Sequence, residues 1–307
     1  MTATSLARSR ALLPPRRRLP RREQLLPWGF IAPSALILGL ITLYPLAYAV
    51  VISFKHGSFV ALTGFAGVDN YKRLFAHGSL FPGALRFSAI FTFATVAGSY
   101  AVGLGFALAV HRVRRGRWLL RMGLLMPWVI PPVVSVVAWR WLINDDSSFA
   151  NAALGLVGIG PIGFLSSPFW ASVMVVLLRI WRTFPFVFLT LFAARQGVPE
   201  ELYEAAALDG ASPWEAFRRI TLPQLARVSI VSSLLVAIWS FNDFESIFLL
   251  TQGGPSNATY NVVVLGYYEA FFGNDVGVAA AMGVVGLVLL LVLTGVLLRL
   301  LRRVDEP

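Results

Sequence analysis

Glu201-Leu-Tyr-Glu-Ala-Ala-Ala-Leu-Asp-Gly-Ala-Ser-Pro-Trp-Glu-Ala-Phe-Arg-Arg-Ile-Thr-Leu-Pro-Gln-Leu225 is a polar, cap-rich island between two long apolar stretches. Its local chemistry predicts two short helices joined by an elbow. Pro199 suits a first helical position, and Glu200 and Glu201 favour the positive end of a helix. Gly210 is placed to end that helix in the left-handed conformation. Ser212-Pro-Trp-Glu215 then reads as a capping box with proline at the first helical position. Pro223 is expected to close the element before the next apolar stretch. An ordinary helical hairpin satisfies the same local rules, so the surrounding sequence has to decide what the island is for.

Those surroundings are unusually apolar. Of 307 residues, 57% are hydrophobic and only 13% charged, where a soluble domain carries about 25% charged residues. The mean hydropathy is +0.72, which points to lipid as the solvent. A net charge of +11 would suit a nucleic-acid partner, but the basic residues cluster in short runs beside apolar segments. That is the arrangement of a positive-inside membrane protein, and nucleic acid is excluded as a partner. The absence of cysteine rules out disulfides, thiolate metal sites and thiol catalysis. His56, His77 and His111 have no metal-ligand spacing and read as solvated loop residues, so no metal site is expected.

Residues 1–26 are rich in Arg and Pro without periodicity, and read as a disordered basic cytoplasmic arm. The charge-free run from Gln24 to Phe54 follows. Ala47-Tyr-Ala49 resembles a signal-peptidase site, yet the run far exceeds the h-region of about 7–15 residues, so it reads as a first span and not a cleaved signal. A span needs about 20 apolar residues. Six candidates meet that need, near 28–53, 87–110, 119–142, 169–193, 227–250 and 277–298. Arg112, Arg114, Arg115, Arg117 and Arg121 follow the second span. Arg195, Arg218 and Arg219 lie in the island, and Arg299, Arg302 and Arg303 at the C-terminus. The loop 144–168 has Asp145 and Asp146 but no Lys or Arg, and 252–276 has only Glu269 and Asp275. These counts place the loop 194–226 and both termini in the cytoplasm. Lys55, Lys72, Arg73 and Arg86 in the outer loop 55–86 run against the rule without reversing it. The expected fold is an all-α integral membrane protein of six transmembrane helices.

With that topology the island resembles the cytoplasmic coupling loop of ABC-importer permeases: Glu-Ala-Ala, three residues, Gly, nine residues, Ile, one residue, Leu-Pro. The matching positions are Glu204, Ala205, Ala206, Gly210, Ile220, Leu222 and Pro223. Pro127-Trp-Val-Ile-Pro-Pro132, Trp181-Arg-Thr-Phe-Pro-Phe186, Phe241-Asn-Asp-Phe-Glu245 and Leu249-Leu-Thr-Gln-Gly-Gly-Pro255 are similar to carbohydrate-importer permeases of the maltose-transporter-F-like, binding-protein-dependent family. So is Phe65-Ala-Gly-Val-Asp-Asn-Tyr71. Two features depart from the family: Phe87-Ser88 replaces the usual Asn-Thr start of the second span, and no large external insertion is present. The resemblance implies that the island docks into a cleft of an ATPase subunit, with Glu204 and Asp209 meeting polar or basic groups there. It implies a second homologous permease subunit, two ATPase subunits carrying ATP and Mg, and an extracytoplasmic solute-binding protein. It also implies a multi-pass place in the bacterial cytoplasmic membrane, in contact with lipid, and no cofactor in this chain.

A polar residue within a span is a functional candidate by default. Trp239, Ser240, Asn242 and Asp243 combine an aromatic face with hydroxyl, amide and carboxylate groups, the chemistry a sugar site uses. On a continuous helix, Trp239, Asn242, Asp243 and Ser246 share a face, while Asp243 and Glu245 lie about 200° apart. Arg179, Arg182, Thr183 and Phe186 share a face by the same rule. The resemblance carries solute contacts onto Ser240 and Asp243, and onto Trp128, Thr183 and Phe186. Arg179, Arg182 and Glu245 are candidates for structural ion pairs, with Asp243 open to either role.

Sequence therefore favours a permease subunit of an ATP-driven importer for a sugar or related polar solute. No Gly-x-x-x-x-Gly-Lys-Ser/Thr loop is present, so ATP hydrolysis falls to other chains and this one is not an enzyme. An ion-coupled secondary transporter is the alternative from another class, although no internal repeat supports it. A permease for a non-sugar solute such as sn-glycerol 3-phosphate also stays open, as the two midspan arginines allow an anion. No nucleophile–base or metal constellation suggests a membrane enzyme.

Overall fold

The computed structural model describes residues 21–113, 115–144 and 148–305. The predicted arm over residues 1–20, Arg114, and Asp145 and Asp146 lie outside the described residues. The chain forms two compact units, residues 1–49 and 50–307. Among the described residues, the first is made of most of helix α1 (Arg21–Ser53). Residues 21–26, expected to be disordered, are helical, because the apolar run that follows supplies the length that makes a helix cooperative. Its segment Phe30–Ser53 is long and apolar enough to cross a membrane.

The second unit opens with a short antiparallel hairpin, β1 (Lys55–Gly57) and β2 (Leu62–Phe65), a small exception to an all-α fold. Helix α2 (Asp69–Leu74) follows, and Asn70 Nδ2 donates to the Ser53 and Lys55 carbonyls at 2.9 and 2.8 Å. Three helices then carry much of the core: α3 (Phe81–Arg112), α7 (Pro168–Gln196) and α10 (Leu222–Phe241). Helix α3 packs along α7, and it carries Thr95, Ser99, Gly103 and Ala107, all buried and spaced four apart. A Cβ on Gly103 would come within 2.9 Å of the Phe188 backbone nitrogen. Small residues at that spacing let two helix backbones approach closely, and a larger side chain there would separate them. Helix α7 is the most enclosed of the candidate spans, which explains why it is apolar on nearly every side.

Between these helices lie α4 (Arg117–Val129), α5 (Pro132–Ile143) and α6 (Phe149–Gly155). A single third span was expected over 119–142, but α4 and α5 meet at a 95° bend. Each residue before a proline is pushed out of the helical region, and Ile130 and Pro131 are both extended, with ψ of 130° and 142°. After α7 come α8 (Glu201–Leu208) and α9 (Pro213–Ala216), then a π turn over Phe217–Thr221 that leads into α10. Pro223 does not close the element as expected, since one helical run extends over Pro213–Phe241. In the wider π turn the Leu222 N–H reaches back to the Phe217 carbonyl. Shifted bonding of this kind accommodates a proline, which has no N–H to offer.

The fifth span also ends earlier than the expected 227–250. Helix α10 stops at Phe241, and α11 (Glu245–Thr251) starts anew. Side chains divert the backbone here: Asn242 Nδ2 donates to the Ile238 carbonyl at 2.9 Å, and Asp243 Oδ1 accepts the Ser246 N–H at 3.3 Å. Local bonds of this type compete with helix continuation. The segment 252–276, read as a loop, contains α12 (Val262–Phe271), which is capped by Asn261 and too short to span a bilayer. The last helix, α13 (Val276–Asp305), packs on α12 and α10. Among the described residues, five helices are long and apolar enough to cross a membrane, or six if the bent α4–α5 pair is one span.

Candidate functional site

Two regions collect the candidate residues. The first is the break between α10 and α11. A cleft of about 520 Å3 lies against Arg179, Trp239, Asn242, Asp243 and Glu245. Asp243 is nearly enclosed, with its Oδ2 3.6 Å from Arg179 Nε. That separation makes an ion pair but is too long for a hydrogen bond. Asn261 Nδ2 donates to the Asp243 carbonyl at 2.7 Å, and the neighbouring Val262 N–H donates to Ser88 Oγ at 2.9 Å. Buried polar groups thus tie the break to α3, α7 and α12. Arg182 Nη1 donates to Ser246 Oγ at 3.2 Å.

The helical-wheel argument separating Asp243 from Glu245 assumed an unbroken helix, and the break removes it: both border the same cleft. Glu245 is exposed and forms no ion pair within 4 Å among the described residues, unlike the structural partner expected of it. Arg179 pairs with Asp243. Three aromatic candidates from different helices converge. The Trp128 ring lies 5.9 Å from Phe186, and Phe186 meets Trp239 edge-to-face at 4.9 Å. Trp128 and Trp239 remain 48% and 39% exposed, and of the three rings Trp239 borders the cleft. Ser240 and Thr183 are instead buried in the packed interior and do not border the cleft.

The second region is the island. Helix α8 ends as its sequence requires: Gly210 has φ of +79°. The Ala211 N–H reaches the Ala206 carbonyl at 2.9 Å, and the Gly210 N–H reaches Ala207 at 3.1 Å. This paired bonding satisfies two carbonyls that a helix end leaves open. Ser212 and Glu215 then form a reciprocal capping box. The Ser212 N–H, and next its hydroxyl, hold the Glu215 carboxyl below the ordinary glutamate range. A depressed pKa stabilises the box above the unfolded value, and that contribution is lost as pH falls through the folded one.

Neither α8 nor α9 buries a residue, and Leu208 and Trp214 are 90% and 67% exposed. Glu204, Ala205, Asp209 and Gly210 share this exposed elbow, with Ala206 half-buried. Ile220 and Leu222 are half-buried where the island joins α10, and Pro223 is exposed there. As site residues, sequence reasoning did not single out Arg195, Tyr203 and Thr221, where Tyr203 meets both of the others at the base of the elbow. It also took His111 for a solvated loop residue. His111 lies in α3, partly covered, with Nε2 3.3 Å from Glu200 Oε1. No periodicity joins these positions, because the turn between α7 and α8 intervenes.

An apolar multi-helix bundle with a bent pair, a broken helix and a protruding capped elbow defines a polytopic membrane protein. Residues 101–306 match the family described as binding-protein-dependent transport system inner membrane component. The chain belongs to that family, and its five or six candidate spans fit a multi-pass inner membrane component. It is 32% identical to the trehalose/maltose transport system permease protein MalF of Thermococcus litoralis, over 92% of this chain and 95% of that protein. It is 31% identical to the diacetylchitobiose uptake system permease protein DasB of Streptomyces coelicolor, over 93% and 89%. A bacterial ABC transporter involved in import of the acidic polysaccharide alginate contains a chain of the same fold, with a TM-score of 0.80, 23% identity and coverage of 93% and 98%.

Proposed function

We propose that this chain forms half of the transmembrane pathway of an ATP-driven, binding-protein-dependent importer for a sugar or related polar solute. The observation that carries this reading is the elbow of α8 and α9, ordered by its own caps yet burying no side chain. A rigid element with exposed Leu208 and Trp214 is built to enter another protein, and a floppy loop could not pass motion on. Its partners are two ATPase subunits holding ATP and Mg, a second homologous permease and an extracytoplasmic solute-binding protein. The chain itself neither hydrolyses ATP nor holds a cofactor. Similarity to permeases named for trehalose/maltose and diacetylchitobiose supports a saccharide as the solute. So does the Trp239 ring, which borders the cleft with Asn242 and continues into the Phe186 and Trp128 rings, since aromatic faces suit the apolar side of a sugar. An ion-coupled transporter would give the elbow no purpose.

The chain sits in the bacterial cytoplasmic membrane with both termini and residues 194–226 inside, and residues 252–276 outside. Arginines in the island and after the second and last spans support that orientation. Because the chain has no cysteine, single introduced thiols report cleanly. Ser256→Cys is expected to react with an impermeant thiol reagent added to intact cells, and Ser212→Cys only after the membrane is opened. Labelling of Ser212→Cys from outside would reverse the orientation.

The solute is tested with the assembled complex in vesicles, supplied with labelled maltose, diacetylchitobiose or sn-glycerol 3-phosphate. Uptake of a saccharide that needs ATP and the binding protein supports the proposal. Uptake of the phosphate ester alone overturns the saccharide reading, and uptake driven by an ion gradient without ATP overturns the importer reading. Trp239→Ala removes one ring of the aromatic lane, with an interaction worth about 0.5–1.5 kcal/mol beyond its area. It is expected to weaken saccharide uptake at low concentration more than at saturation, read as KM against maximal rate.

A further inference from the structure

We infer that Arg195 is a positioning residue that fastens the elbow to α7, so that a push on α8 moves the helix bordering the cleft. This rests on the docking role proposed for the elbow. Helix α8 buries none of its residues, so apolar packing does not hold it in place. Its fixed contacts converge instead on one buried guanidinium. Arg195, in the last turn of α7, is 7% exposed. Its Cζ lies 4.2 Å from the centre of the Tyr203 ring on α8. Its Nη1 is 3.4 Å from Glu200 Oε1, and the same oxygen is 3.3 Å from His111 Nε2 at the end of α3. Tyr203 in turn bonds through its hydroxyl to Thr221 Oγ1 at 2.9 Å, in the π turn that leads to α10.

Through Glu200 and Tyr203, this side chain joins the end of α7 and the elbow to the end of α3 and to the turn that leads into α10. The turn at 209–212 is held by its own caps, so α8 and α9 stay together, while in the turn at 197–200 only Val198 is buried to hold α8 against α7. Without the stack, a displacement of α8 would be taken up in the turn at 197–200. With it, α7 follows, and α7 carries Phe186 nine residues and Arg179 sixteen residues before Arg195. These distances are about 14 and 24 Å along the axis. Arginine suits the task better than lysine, since a planar guanidinium stacks on an aromatic ring and forks towards a carboxylate at once.

The test is carried out on the complete complex in lipid. Spin labels are placed at Leu177→Cys on α7 and Glu201→Cys on α8, both exposed positions, and the distance between them is measured with and without a non-hydrolysable ATP analogue. The Arg195 chain is expected to give one narrow distance that the nucleotide does not alter, because the two helices move as a body. Arg195→Ala is expected to lose that single distance, broadening it or making it depend on nucleotide, while the amount of assembled complex is unchanged. If Arg195→Ala fails to assemble, Arg195→Lys decides, since it keeps the charge facing Glu200 and removes the planar stack. A narrow, nucleotide-independent distance in the deciding variant overturns the inference. So does a distance that already shifts with nucleotide in the Arg195 chain. Failure of the docking role itself shows separately, as ATPase that still co-purifies with a Gly210→Pro chain.

Discussion

Gly210→Pro is expected to leave the chain in the membrane in ordinary amounts, to abolish uptake, and to reduce the ATPase that co-purifies with it. Gly210 sits at φ of +79°, and its N–H bonds to the Ala207 carbonyl. Proline fixes φ near about −65° and has no N–H, so both features of the helix end are lost and α9 takes a new direction. Gly210→Ala separates geometry from mere substitution. An added Cβ there meets nothing within 4 Å, so alanine carries only the left-handed strain of about 1–2 kcal/mol. It should retain much of the uptake. Normal uptake by a correctly inserted Gly210→Pro chain would remove the elbow from the transport cycle.

Asp243→Asn is expected to lower the amount of assembled complex. Asparagine keeps a side-chain oxygen for the Ser246 N–H, so the start of α11 is preserved. What it removes is the charge facing Arg179, whose side chain is only 13% exposed. Leaving a buried partner uncompensated costs about 3–5 kcal/mol in soluble proteins. The double variant Asp243→Asn with Arg179→Gln removes both charges and should recover most of the complex. Full assembly of the single variant with altered solute preference would instead make Asp243 a contact on the pathway. Full assembly with unaltered uptake would show that the pair matters to neither.

These two residues also mark how far the sequence could be read. Gly210 was legible because its requirement is local: a helix must end, a positive φ favours glycine, and Ser212 and Glu215 three residues apart start the next helix. Asp243 was legible as a carboxylate within an apolar stretch, and Arg179 as one of its possible partners. Its geometry was not. Periodicity projected a continuous helix through residue 250 and set Asp243 and Glu245 on opposite faces, whereas side-chain bonds from Asn242 and Asp243 end α10 and turn both carboxylates to one cleft. Likewise Pro131 and Pro132 announce a disturbance, but not the 95° bend that separates α4 from α5.

The sequence by itself determined the apolar, multi-span class of this protein, the chemistry that orders the elbow, and the residue types at the cleft. Hydropathy, caps and proline effects act over a few neighbouring residues, so they can be read along a line. The tertiary structure alone decided which distant side chains meet. Trp128, Phe186 and Trp239 come from three helices, and Arg195 reaches Tyr203 across a turn. It also withdrew Ser240 and Thr183 into the interior. Such pairings depend on how closely helices pack, which Gly103 and its small neighbours set by letting α3 approach α7, and no local rule encodes that distance.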